Sequence, residues 1–118
     1  MTQPTLFSAL DRYTEPLCDE DRRRLFDQWR TVNAEAVRIM VGWAEDIAAD
    51  GEPVAVQRLF ERARWEKGID IQPVVYTDID GRVHRYKVNH NDRALFGRWL
   101  QRERPGMRVT MRKSRYDA

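Results

Sequence analysis

From Asp19 onward the apolar positions fall at helical spacing, and after Gly68 they switch to alternation. The stretch DEDRRRLFDQW opens on acids, which the helix dipole favours in a first turn; Asp19 is expected to cap it, and Leu25, Phe26 and Trp29 form its apolar side. Asn33 is expected to cap a second helix. There Val37, Met40, Val41, Ala44, Ile47 and Ala48 keep the spacing until Asp50-Gly51 stops the run. Pro53 suits the first turn of a third helix, which runs to Lys67 and ends at Gly68. IDIQPVVYTD and RVHRYKV then flank Ile79-Asp80-Gly81, a hairpin signal, and Pro73 implies an edge strand or a bulge early in the first arm. A fourth helix is predicted from about Asn91 to Glu103, with Leu95, Phe96, Trp99 and Leu100 on one face, and Pro105-Gly106 ends it. Met107, Val109 and Met111 alternate with basic and polar residues in a short closing strand.

The order helix, helix, helix, hairpin, helix, strand predicts an α+β domain, mainly helical and winged-helix-like. The helix pair within 33–67 would form a helix-turn-helix, and the hairpin would be its wing. At 118 residues one domain is expected, over 19–113, with an N-terminal arm at 1–18 and a loose tail at 114–118. The arm holds Pro4, Pro16 and a small apolar patch of Leu6, Phe7 and Leu10.

Composition narrows the class. Hydrophobic residues are 42% and charged residues 34%, which suits a globular fold better than a disordered chain. The sequence has no apolar run of membrane-spanning length and no signal-peptide pattern in MTQPTLFSALDRY. Cys18 is the sole cysteine, so a cytoplasmic protein without internal disulfides is expected. The net charge of +2 conceals a division: residues 1–57 carry 6 basic and 11 acidic side chains, and residues 58–118 carry 15 and 8. Such an asymmetry often marks a polyanion-binding surface. Arginine outnumbers lysine 18 to 3, which a GC-rich genome alone would produce, so the sign of the charge carries the argument and the choice of arginine does not.

The third helix is the candidate reader. Val56, Leu59, Phe60 and Ala63 share its core side, so Trp65 points away from the core with Arg58 and Arg62 beside it. That face could meet DNA phosphates and guanine edges; equally, the hairpin could pack on Trp65 and the arginine stems lie along it. Both hold if the wing covers Trp65 and leaves the arginines free. Arg82, Arg85 and Lys87 lie on the second hairpin strand, where Val83, Arg85 and Lys87 share one face and His84 and Tyr86 the other. Arg98 and Arg102 point away from the apolar stripe of the fourth helix. In the triplet Asn89-His90-Asn91, either Asn91, or Asn89 with Asp92 three residues on, can cap that helix, and the other can close an Asx-turn. His90 is then a candidate phosphate contact beside the helix N-terminus.

Catalysis finds little support. His84 and His90 have no recognised ligand spacing to Cys18 or a carboxylate, and Asp78-Ile79-Asp80-Gly81 lacks the later ligands of a calcium loop. There is no phosphate-cradling glycine loop or nucleophile elbow. No catalytic residue, metal or cofactor is expected.

LFERARWE (Leu59–Glu66), YKVNHN (Tyr86–Asn91) and FGRWL followed by RPGM (within Phe96–Met107) stand in an order that resembles a group of small bacteriophage and prophage proteins. Phe60, Glu61, Arg64, Trp65, Lys87, Asn89, Asn91 and Arg98 match that pattern, whereas His90 stands where the group has asparagine. The resemblance spans roughly Asn33 to Arg112 and implies an origin in a phage or mobile element, without implying a mechanism. Two functions are therefore expected as alternatives. One is a regulatory protein that binds nucleic acid, double-stranded DNA in particular. The other is a non-enzymatic takeover or anti-defence module, whose Asp19, Glu20, Asp21 and Asp27 would meet a basic surface of a host protein. No membrane partner is expected, and the LFDQWR helix or the arm could pair two copies as a homodimer.

Overall fold

The structure is a computed structural model, and it describes residues 13–111. Among these residues it is α+β. The order is α1 (Asp19–Val32), α2 (Ala34–Ala49), β1 (Val54–Ala55), α3 (Val56–Trp65), β2 (Val74–Thr77), β3 (Val83–Tyr86), α4 (Arg93–Glu103) and β4 (Val109–Thr110). The layout is compatible with a winged helix, with α2 and α3 as the helix pair and β2–β3 as the wing. Most of the expected arm, residues 1–12, and the expected tail lie outside the described residues. None of the described helices is long and apolar enough to cross a membrane.

The helices follow their apolar stripes. Leu25, Phe26 and Trp29 of α1, Met40 and Ala44 of α2, Leu59 and Phe60 of α3, and Phe96 and Leu100 of α4 meet in one buried cluster. Its spine is aromatic: Phe26, Trp29, Phe60, Phe96 and Trp99 follow one another with ring centroids 5.2 to 6.1 Å apart. Burial of such rings, worth about 2 kcal/mol or more each, is the main force holding the helices together. Gly97 lets α4 close on the start of α3. A Cβ there would stand 3.0 Å from Val56 Cγ2 and 2.7 Å from Met111 Sδ.

Helix ends differ from the sequence expectations in instructive ways. The α1 cap is Cys18, whose Sγ accepts from the Asp21 N–H at 3.4 Å, and Asp19 is the first helical residue beside Glu20 and Asp21. Asn33 stands between α1 and α2, yet its side chain does not cap α2. It donates to the carbonyls of Trp29 and Gln72 at 3.0 and 2.9 Å and accepts from the Gln72 N–H at 2.6 Å. The demand for partners inside the fold outweighs the local capping role, so a buried asparagine fastens the helix junction to the chain leading into the wing. Pro53 precedes β1, where the sequence placed it in the first turn of α3. The Val54 N–H donates to the Arg108 carbonyl at 2.8 Å, and Val54 and Ala55 pair in parallel with Val109 and Thr110. Val54 is wholly buried, and extended backbone is what gives it both its packing and its hydrogen bonds. The closing strand thus pairs with β1, apart from the hairpin.

The hairpin matches Val74 with Tyr86, Val75 with Arg85, Tyr76 with His84 and Thr77 with Val83. Gly81 supplies the positive φ of +85° that its turn requires. Tyr13 bridges to Asp78 in parallel, its N–H donating to the Thr77 carbonyl, which anchors the described end of the arm to the wing.

Candidate nucleic-acid interface

Helical periodicity sets the faces of α3. Val56, Leu59, Phe60 and Ala63 are buried, and Arg58, Glu61, Arg62, Arg64 and Trp65 are exposed. Trp65 is 79% exposed, so the wing does not cover it. The Arg64 guanidinium lies 5.6 Å from its ring centroid. Arg62 is exposed and sits 4.1 Å over the ring of Trp43 on α2, a contact that holds its charge beside the helix pair. An exposed tryptophan between arginines, on the second helix of such a pair, could lie against sugar and base edges while the arginines hold phosphates.

The wing has two unlike faces. Inward, Tyr76, Asp78 and Tyr86 are buried and His84 is half-buried; outward, Val75, Val83, Arg85 and Lys87 are exposed, with Arg82 exposed at the turn. The turn is braced by Asp78, whose Oδ1 accepts from the N–H groups of Asp80 and Arg82 at 2.8 and 2.9 Å. Its Oδ2 takes the His84 Nε2 hydrogen bond at 2.7 Å, and that bond is the main reason its carboxyl is held below the usual aspartate range. These bonds make an Asx-turn at Asp78, within the hairpin turn that Ile79-Asp80-Gly81 predicts. His84 Nδ1 is 3.7 Å from Glu15, which also accepts from the Tyr76 hydroxyl at 2.9 Å. Desolvation, followed by that contact with Glu15, pushes the Tyr76 phenol up to about 12. The Tyr76 and His84 rings stack with centroids 5.2 Å apart.

The Asn-His-Asn triplet belongs to the junction between wing and α4. Asn89 Oδ1 accepts from the Asp92 N–H at 2.9 Å and its carbonyl accepts from the Arg93 N–H, so Asn89 caps the turn leading into the helix. Asp92 is fully buried: Tyr86 donates its hydroxyl to one carboxylate oxygen at 2.7 Å, and Arg22 donates Nε to the other at 3.2 Å. One carboxylate therefore ties α1, β3 and α4 together. Neither Asp92 nor Asn33 was singled out by sequence for this role, because both act on partners distant in the chain. His90 is exposed.

The sequence-derived cations do not form a single surface. Arg58, Arg62 and Trp65 share the outer face of α3, and Arg82, Arg85 and Lys87 share the wing. On α4, Arg93 stacks 5.2 Å over Phe60 of α3. At 100° per residue, Arg98 and Arg102 point about 140° and 180° away from it, toward the opposite side of the helix. Arg98 is half-buried and Arg102 exposed.

Between α3 and the base of the wing lies a cleft of about 530 Å³ lined by Trp29, Phe60, Arg64, Ile71, Gln72, Pro73, Lys87, Val88 and Arg93. Burial pulls the Arg93 guanidinium below its ordinary pKa, with Arg64 adding to that effect and Glu61 opposing it. Arg93 drew no attention in the sequence, because a helix-start arginine has no periodic signature. No group of histidine, cysteine and carboxylate side chains suited to a metal occurs among the described residues. No protein-family model, curated relative or solved structure gives a significant match to this chain.

Proposed function

We propose that the protein binds nucleic acid, double-stranded DNA in particular, by laying the outer face of α3 and the basic edge of the wing against the phosphate backbone, as a regulator would. The observation that carries this reading is the open face of α3, where Arg58, Arg62 and a 79% exposed Trp65 stand together without a covering element. Arg82, Arg85 and Lys87 extend the positive surface along the wing. Arg98 and Arg102 are left out because of the direction in which they point. Five phosphate contacts predict a fall in log affinity with log salt of slope about −4.5 on duplex DNA. Fluorescence anisotropy on random-sequence duplex tests this, and affinity weaker than about 100 μM at low salt contradicts it.

A second reading, a non-enzymatic module that grips a host protein, is favoured by a different observation. Val75 and Val83 lie diagonally across the outer wing face at 61% and 68% exposure, with Ile79 exposed at the turn. The acids of α1 favour it less, because Asp27 is paired with Arg30 at 2.8 Å and Asp21 with Arg24 at 3.6 Å on the same helix. Affinity capture from nuclease-treated host lysate separates the two: a partner retained without nucleic acid supports this second reading, and recovery that depends on nucleic acid supports the first.

A further inference from the structure

The cleft between α3 and the wing has chemistry that DNA docking does not use. Three cations reach it from three elements: Arg64 from α3, Lys87 from the end of the wing and Arg93 from α4. No carboxylate is among its lining residues, and none of the three cations makes an ion pair with a described residue. Glu61, the acid that bears on Arg93, instead takes a hydrogen bond from Gln57 at 3.3 Å. The Nε–H of Arg93 is buried and has no hydrogen-bond partner. Leaving a buried donor unmet costs free energy, and so does gathering like charges in a partly desolvated site. A fold that needed only packing here would have used apolar or paired groups. The rest of the lining is apolar, from Ile71, Pro73, Val88, Trp29 and Phe60, apart from the amide of Gln72. The Phe60 ring is already covered by Arg93, so a ligand would meet aliphatic surface and guanidinium edges.

We propose that this cleft is a binding site for a small organic phosphate, with the phosphate held by Arg64, Lys87 and Arg93 and its apolar body set against Ile71, Pro73 and Val88. A phosphate has the acceptors and the charge to engage the Arg93 guanidinium and the Lys87 ammonium together, and guanidinium groups match its oxygens in pairs. The volume falls within the range of small-molecule sites and is too small for a duplex. Because Lys87 belongs to both the cleft and the basic wing edge, occupation would remove one positive charge from the surface proposed for DNA. The site itself does not depend on that reading.

The test is isothermal titration of the protein, without DNA, with adenosine 5′-monophosphate, glucose 6-phosphate and inorganic phosphate at about 150 mM salt. The Arg93 Nε–H signal is followed in parallel by NMR. Saturable binding of at least one organic phosphate, tighter than inorganic phosphate by tenfold or more and accompanied by a shift of the Arg93 Nε–H resonance, is expected. Lys87→Gln, an exposed position whose change leaves the fold intact, and Arg93→Gln are each expected to weaken that binding by about tenfold. Arg58→Ala/Arg62→Ala, which disables the surface proposed for DNA, is expected to leave it unchanged. Organic phosphates that bind no better than inorganic phosphate, or whose binding survives Lys87→Gln, overturn the proposal.

Discussion

The carboxylates packed beneath the wing and the cations spread around it obey opposite rules. On the first side every acid is met: Asp78 by two backbone N–H groups and His84, Glu15 by Tyr76, and Asp92 by Tyr86 and Arg22. On the second side Arg58, Arg64, Arg82, Arg85, Lys87 and Arg93 form no ion pair among the described residues, although the chain carries 19 carboxylates that could have supplied one. The fold spends its acids on holding the wing to the helices. It leaves the bases around the wing unpaired, although those of α1 and α2 pair with acids, and this local division separates the polar residues that hold the wing from those that face outward.

The contrast predicts that substitutions beneath the wing lower stability and leave binding intact, whereas those around it do the reverse. The largest effect is expected at Asp92. Asp92→Ala removes the buried carboxylate that accepts from the Tyr86 hydroxyl and the Arg22 Nε–H and should cost about 3 kcal/mol in urea unfolding. Asn33→Ala removes two hydrogen bonds with Gln72 and one with Trp29 and should cost about 2 kcal/mol by the same measurement. Asn89→Ala should cost about 1 kcal/mol, the worth of a helix cap, with Asn91→Ala nearer zero. A cost at Asn91 that matched Asn89 would put the cap in the wrong place.

Asp78 offers a check by pH. Its folded carboxyl is held below the usual range, chiefly by His84, so it stabilises the fold at neutral pH. That contribution is lost as pH falls from about 4 downward, when the folded carboxyl takes up its proton. Melting temperatures across this window should fall less steeply in Asp78→Asn than in the parent, and an unchanged slope would remove Asp78 from the account of acid stability. Last, Arg58→Ala and Arg85→Ala should each shift stability by no more than about 0.5 kcal/mol, since neither is paired.

How much of this was legible in the sequence follows the same division. The four helices and the hairpin were readable because their apolar stripes are long and periodic, and the outward direction of Trp65 followed from counting residues from Phe60. The wing faces were also readable: Val83 and Arg85 point out, and His84 and Tyr86 point in. The closing strand was legible in the alternation of Met107, Val109 and Met111, but its partner β1 was not, because two residues leave no period to detect and Pro53 in front of Val54 looks like a helix start. Asn33 was read as a cap and Asp92 as a supporting residue, since local rules favour both assignments and only tertiary contact with Gln72, Tyr86 and Arg22 shows what each one does. Arg93 and its cleft were invisible for the same reason. Whether Arg98 and Arg102 share a surface with α3 depended on the rotation of α4, which the contact of Arg93 with Phe60 fixes.

The central claim is that the open face of α3 carries the contact with DNA, and the salt dependence of duplex binding for Arg58→Ala/Arg62→Ala beside the parent tests it most directly. With two of five phosphate contacts removed, the slope of log affinity against log salt should drop from about −4.5 to about −2.7, with only the small fall in melting temperature that loss of the Arg62–Trp43 contact brings. A slope that stays at the parental value, in a variant that is fully folded, would contradict the account.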